Sequence, residues 1–293
     1  MHPYLFDFTI GNLRIALSTY SLFALLGILL SGFLFMFLTE DGRKKPVAHI
    51  IFLGILMIVS FLGSRLTQFL IDLSVKQGQG LTAWQILSAS GSNVTGGIVL
   101  GALVVWIYAR IDPHRIMSWH TVDVTALSFP FGHMMGRFGC LSAGCCYGRL
   151  CEECPLTITY PDEWIIDALS PESIVHGPRI AAPLIAAIGL LAIGLVLFTI
   201  FKLTKTRGQI APLYFLLYGV FRFFHDYLRG DLESKGIWGP FSTGQWFGIV
   251  AVAVSIALFG IYLNRYVKGV AGPPYLPING KPPREKDAFD PQE

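Results

Sequence analysis

The stretch Ile210-Ala211-Pro212-Leu213-Tyr214-Phe215-Leu216-Leu217-Tyr218-Gly219-Val220-Phe221-Arg222-Phe223-Phe224-His225-Asp226-Tyr227-Leu228-Arg229 decides the fold class. It is an apolar segment of the kind that crosses a bilayer, at 1.5 Å of rise per residue. Yet it keeps charges. Tyr218, Arg222, Asp226 and Arg229 follow at spacings of four, four and three, which puts them on one helical stripe, with His225 beside it. An ionisable group at the centre of a span costs at least ~2.5 kcal/mol. Such a stripe should therefore face the interior of a helix bundle and have a partner or a task there.

The rest of the chain agrees with a membrane solvent. Of 293 residues only 14% are charged, 53% are hydrophobic, and the mean hydropathy is +0.56. An ordinary soluble domain carries roughly 25% charge. The net charge is +3 and the longest basic run is Arg43-Lys44-Lys45, so no nucleic-acid partner is expected. The first residues, Met1 to Phe8, lack a basic region and a small-residue cleavage site, so they read as an uncleaved start.

Seven apolar runs are expected to be helices: Leu17–Leu38, His49–Asp72, Val94–Ala109, Val122–Gly139, Ile180–Phe201, Ile210–Tyr227 and Gln245–Arg265. The fourth contains Pro130 and ends in a Gly-rich turn, which suggests a helix broken inside protein. With the N-terminus outside, the inner loops and tail hold 13 of the 22 basic residues and the outer loops hold five. That asymmetry orients the chain with its C-terminus in the cytoplasm. The expected fold is an all-α integral membrane protein with seven transmembrane helices. One transmembrane domain covers 1–268, with a small extracytoplasmic head between helices four and five, at about 140–179. A flexible, proline-rich cytoplasmic tail covers 269–293. A second outer loop runs from about Leu73 to Asn93. No internal repeat is visible.

In this layout Arg65, Arg137 and Arg222 all fall in the outer half of the bilayer. Among carboxylates, Asp226 shares that zone and Asp72 lies at its rim. The surplus positive charge calls for an anion, and arginine suits planar bidentate contact with phosphate. A phosphate-bearing lipid headgroup is the natural ligand.

All five cysteines lie between Cys140 and Cys154, on the expected outer face. Three readings stand side by side. The loop can be stapled by disulfides, at most two, leaving one thiol over. A tetrahedral thiolate set can hold a metal, though the spacing fits no standard zinc pattern and no metal is assigned. Or a thiol beside Arg137, such as Cys140 or Cys145, is reactive because a nearby cation lowers its pKa. The run Leu141-Ser142-Ala143-Gly144-Cys145 looks like a lipobox, but it lies mid-chain behind a span and is read as chance.

The block Gly136-Arg137-Phe138-Gly139-Cys140-Leu141-Ser142-Ala143-Gly144-Cys145-Cys146-Tyr147-Gly148 resembles the signature of the bacterial prolipoprotein diacylglyceryl transferases. Thr95-Gly96-Gly97 looks like that family's His-Gly-Gly turn at the head of span three. Tyr218-Gly219-Val220-Phe221-Arg222, with Arg229, looks like its Tyr-Gly-x-x-Arg helix. Ser242-Thr243-Gly244-Gln245 resembles the start of its last span, and Tyr20 sits where the family has a Tyr in span one. The resemblance covers roughly residues 8 to 265.

The resemblance implies an enzyme of the bacterial inner membrane that needs no cofactor. Its partners would be phosphatidylglycerol and a lipobox-bearing prolipoprotein, or another thiol acceptor. The acceptor thiol would attack the glyceryl carbon, a thioether would form and glycerol phosphate would leave. Developing charge on the phosphate needs arginines, and the attacking thiol must lose its proton. Arg137, Arg222, Tyr218, His133 and Cys140 are the candidate catalytic residues. Tyr20, Gly96, Gly97, Gly148, Asp226 and Arg229 are the candidates for substrate binding. The chain departs from the family at the polar positions: Thr95 stands for His, Cys140 for Asn and Cys145 for Glu. Ile180-Ala181 and Ala186 stand where the family has His-Pro and Glu. His133, four residues before Arg137, is the candidate replacement acid–base group, with His225 behind it. Two other readings are a cysteine-dependent thiol–disulfide oxidoreductase of the membrane and a non-catalytic phospholipid-binding protein.

Overall fold

The computed structural model describes residues 4–10, 13–39, 45–75, 94–111, 119–160, 177–203, 207–230 and 237–269. These residues form seven long helices: α1 (Thr19–Leu38), α2 (Pro46–Val75), α3 (Val94–Ile111), α4 (Trp119–Ala143), α5 (Ala182–Leu203), α6 (Ile210–His225) and α7 (Thr243–Val267). Their limits match the apolar runs to within a few residues. Four of them, α1, α2 up to Leu70, α5 and α7, are long and apolar enough to cross a membrane. Large apolar side chains stay exposed along them, including Leu29 at 59%, Phe33 at 65%, Phe61 at 62% and Ile256 at 67%. In water such faces would drive association; in lipid they are the solvated surface. The loop 76–93, residues 161–176 and the tail from 270 lie outside the described residues.

The chain is mostly helical, but not wholly. Three two-stranded antiparallel pairs interrupt the all-α expectation: β1 (Tyr4–Ile10) with β2 (Leu13–Ser18), β3 (Thr157–Thr159) with β4 (Pro178–Ile180), and β5 (Ile237–Trp238) with β6 (Phe241–Ser242). The first pair is built from Tyr4, Phe6, Phe8, Ile10 and Ile15, aromatic and β-branched residues that favour a strand. The second ties the start of the head to the start of α5, with Ile158 opposite Arg179.

The elements group into two compact units. One holds β1, β2, α1, α4 from Val122 onward and everything described from there to α7. Its core is Leu127 of α4, Leu190, Ile193 and Leu197 of α5, and Ile210, Tyr214 and Tyr218 of α6. Leu190 and Leu197 stand two turns apart and so line one face of α5. The other unit holds α2 and α3.

Helix α4 runs through Pro130 without a break. The missing amide is tolerated because Pro130 is buried in protein, where neighbours compensate for the freed backbone groups. Two turns of α1 lie against this region. A Cβ on Gly27 would come within 2.5 Å of the Gly132 carbonyl, and the Ser31 hydroxyl donates to the Ser128 carbonyl at 3.1 Å. Small residues let the two backbones approach, the usual way helices associate in lipid.

The start of α6 is secured from outside. Asp123 on α4 is 1% exposed, and its carboxylate accepts from the amides of Gly208, Gln209, Ile210 and Ala211 at 2.5 to 3.2 Å. It satisfies the orphan donors of the first turn of α6, a task normally given to a local N-cap residue.

Candidate active site

The expected helical stripe is only partly helical: α6 ends at His225, Asp226 opens a short turn and Arg229 is extended beyond it. Together these residues meet the C-terminal turns of α4 and the N-terminus of α7. Arg222 pairs with Asp226 one turn later at 2.7 Å, and Asp226 is 1% exposed. Ser242, the N-cap of α7, donates its hydroxyl to the other carboxylate oxygen of Asp226. The same hydroxyl accepts from the Gln245 amide at 3.1 Å, and the Gln245 side chain returns to the Ser242 amide at 3.0 Å. This reciprocal cap fixes the start of α7. Gly244 follows, and a Cβ there would strike Arg222 Nη2 and Asp226 Oδ2. The pair is therefore held against a helix N-terminus with no room to spare.

Arg229 lies just past the short turn Asp226–Leu228 and is 5% exposed. Its backbone is bridged to Gly148, and the strands around it are closed by Arg149 N–H to Leu228 O and Gly230 N–H to Tyr147 O, both at 3.0 Å. Gly148 lies so close to the Ile180 carbonyl that a Cβ would collide with it. Its contribution is thus to seat Arg229 and the start of α5. Arg137, on α4, interacts electrostatically with Cys140, Cys146, Tyr218 and Arg229. Arg222 in turn feels Arg137 and Arg229. Arg137, Arg222 and Arg229 thus lie within electrostatic reach of one another in an apolar helical unit, with the Asp226 carboxylate paired to Arg222.

His133 lies on the same face of α4, within electrostatic reach of Arg137 and Arg222. Its ring meets that of Tyr218 edge-on at 5.6 Å, and its Nδ1 is buried without a hydrogen-bond partner. His225 is engaged differently, its Nε2 donating to the Ala182 carbonyl at 2.9 Å. Tyr20 on α1 is 44% exposed and faces Arg137 and the thiols of Cys140, Cys145 and Cys146.

The cysteines divide into two sets. Cys151 and Cys154 form a disulfide, while Cys140, Cys145 and Cys146 are free thiols. The Cys146 thiol is held well below the ordinary thiol range. Hydrogen bonds from Cys140 and Cys145 act first, with Arg229 and Arg137 adding to them. Hydrogen bonds with Cys140 and Cys146, together with burial, push the Cys145 thiol up.

The sequence candidates Arg137, Arg222, Tyr218, His133, Cys140, Tyr20, Gly148, Asp226 and Arg229 all fall in the unit that contains this site. Gly96 and Gly97 fall in the other unit, on α3. There Gly96 is packed so tightly on α2 that a Cβ would meet Thr67 and the Gly63 carbonyl. Arg65 is likewise on α2. Ser242 and Gly244 were readable only as part of a motif; their work on the Arg222–Asp226 pair is new. The Ser-x-x-Gln spacing of a capping box could have exposed Ser242 earlier. Nothing in the local sequence marks Asp123 as the cap of α6.

The family model described as prolipoprotein diacylglyceryl transferase matches residues 6–261. The chain belongs to the prolipoprotein diacylglyceryl transferase family. Curated relatives carry the name phosphatidylglycerol–prolipoprotein diacylglyceryl transferase. One from Clostridium tetani is 26% identical, over 78% of this chain and 89% of its own length. One from Streptococcus pneumoniae is 27% identical, over 86% of this chain and 91% of its own. A second transferase of that name from Clostridium perfringens is 29% identical, over 59% of this chain and 62% of the relative. The chain thus spans about three fifths of that relative's length. The family match covers both the arginine-bearing helices and the cysteine block.

Proposed function

We propose that this protein transfers a diacylglyceryl group from phosphatidylglycerol to a cysteine thiol of a prolipoprotein at the outer face of the bacterial inner membrane. The observation that carries this reading is the convergence of Arg137, Arg222 and Arg229 inside an apolar helical unit. In this reading all seven helices cross or dip into the bilayer. The N-terminus is outside, the C-terminal tail is cytoplasmic, and the head at about 140–179 stands over the site.

The arginines receive the phosphate and stabilise the charge that grows on it as the glyceryl carbon–oxygen bond breaks. Asp226 orients Arg222 and keeps the site from holding three uncompensated cations. Tyr218, packed between His133 and Phe247, lines the same pocket. The apolar groove of Val220, Phe223, Ile249 and Val252 beside it offers acyl chains a surface. His133 keeps a buried Nδ1 without a hydrogen-bond partner beside Tyr218, whereas His225 is committed to Ala182, so His133 is the histidine left to contact substrate.

The Cys151–Cys154 disulfide beside three free thiols supports a second reading, a thiol–disulfide oxidoreductase. Variants separate the two. In the transferase reading, Arg137→Ala and Arg222→Ala each reduce glycerol phosphate release from labelled phosphatidylglycerol by ~100-fold or more. Cys151→Ser leaves release within about threefold of the parent. A parent chain that releases no glycerol phosphate but catalyses thiol–disulfide exchange, with exchange lost in Cys151→Ser and kept in both arginine variants, would support the oxidoreductase instead.

A further inference from the structure

Three free thiols converge where α4 ends. The sulfurs of Cys140, Cys145 and Cys146 all lie within 4.8 Å of one another. Cys140 comes from the last turn of α4 and the other two from the turn that follows. That turn is shaped for the convergence. The Cys145 amide donates back to the Cys140 carbonyl at 3.1 Å, Gly144 has φ 71° and Cys146 has φ 60°. Among the described residues Cys146 is the only non-glycine with a positive φ. This conformation costs roughly 1–2 kcal/mol and persists only where the surroundings enforce it.

A tetrahedral zinc ion with bonds of about 2.3 Å sets its sulfurs about 3.8 Å apart. Small side-chain rotations bring the three thiols to that spacing. The disulfide of this region is already formed by Cys151 and Cys154, so these three are not needed to staple the loop. Among the described residues the set has no fourth His, Cys, Asp or Glu. Three protein ligands with one position left for substrate is the arrangement of a catalytic rather than a structural zinc site. Three thiolates around a divalent cation leave a net negative charge. Arg137 and Arg229, which both act on Cys146, are placed to balance it.

We propose that Cys140, Cys145 and Cys146 form a thiolate site for a soft divalent cation of the Zn2+ class, whose fourth position receives the acceptor's cysteine thiol. The role of the fourth position rests on the transferase reading; the metal site itself does not. On coordination the acceptor thiol loses its proton. Its sulfur then attacks the glyceryl carbon of the lipid, forming the S–C bond while the bond from that carbon to the phosphate oxygen breaks. The oxygen leaves with the electron pair as glycerol phosphate, which takes up the displaced proton. No oxidant or reductant is required. The cation thereby performs the thiol activation.

The test uses the full chain in detergent with a non-chelating reductant, titrated with Co2+ as a spectroscopic probe and then with Zn2+. The site predicts intense sulfur-to-cobalt charge-transfer absorption and tetrahedral visible bands that saturate at about one Co2+ per chain and are displaced by Zn2+. The triple change C140S/C145S/C146S abolishes the bands, and C151S/C154S leaves them intact. A fully reduced parent chain that gives no such bands overturns the site, whatever the variants do. So does a band that survives the triple change. Adding a lipobox peptide to the Co2+-loaded protein should raise the charge-transfer intensity, and a peptide with Ser for Cys should not. No response to the cysteine peptide overturns the assignment of the fourth position. Cobalt bands together with a peptide response, but no glycerol phosphate release from the Zn2+ form, would keep the site and sink the transferase reading alone.

Discussion

Gly244 sits where the start of α7 touches the Arg222–Asp226 pair, and its hydrogen is all the space allows. Gly244→Val should push the guanidinium off the carboxylate, destabilise the fold by about 1–3 kcal/mol as overpacking does, and reduce lipid turnover far more than its thermal shift implies. A variant with parental turnover would show that the pair does not position the substrate. Arg222→Lys is a sharper probe. Lysine keeps the charge and loses the planar fork that matches a phosphate. Turnover is expected to fall by ~10-fold or more, with the helix content and melting temperature close to the parent. At this scale the sequence was most informative for charged residues on apolar helices, since a misplaced charge is conspicuous. It was silent on which thiols pair. The spacing of the five cysteines left several pairings open; the structure joins Cys151 to Cys154 and leaves Cys140, Cys145 and Cys146 as free thiols.

The helices themselves were legible because each is a long apolar run, and hydropathy reports little else. Pro130 is instructive. Its presence suggested a break in α4, yet the helix is continuous because its burial in protein, not lipid, decides what a proline costs there. The three short strand pairs were not legible, as runs of two to seven residues give weak periodicity. The capping of α6 by Asp123 was hidden for another reason: donor and acceptor are more than 80 residues apart in sequence. Asp123→Ala removes a carboxylate that accepts four backbone bonds and leaves those amides buried. The expected loss is at least ~2 kcal/mol, read as a lower melting temperature in detergent. Asp123→Asn should recover part of it, since one amide oxygen still accepts. An unchanged melting temperature in Asp123→Ala would mean that the α4 and α6 contact contributes little to stability.

For the whole molecule, the scarcity of charge identifies the solvent, and the sidedness of what remains proposes the orientation. Thirteen basic residues fall on one side in that layout. Cysteines introduced at Lys281 and at Glu152, each in a chain whose five native cysteines are changed to serine, test it in intact cells with an impermeant maleimide: the first should be protected and the second labelled. The reverse pattern would invert the chain and put the arginine site on the cytoplasmic face. The central claim is the chemistry at those arginines. The most direct measurement gives the purified full chain in lipid vesicles phosphatidylglycerol labelled in its headgroup, together with a lipobox peptide. Peptide and released label are then followed by mass spectrometry and scintillation counting. The peptide should gain one diacylglyceryl group in thioether linkage, with one glycerol phosphate released for each peptide modified. A peptide that returns unmodified while the headgroup stays on the lipid would contradict it.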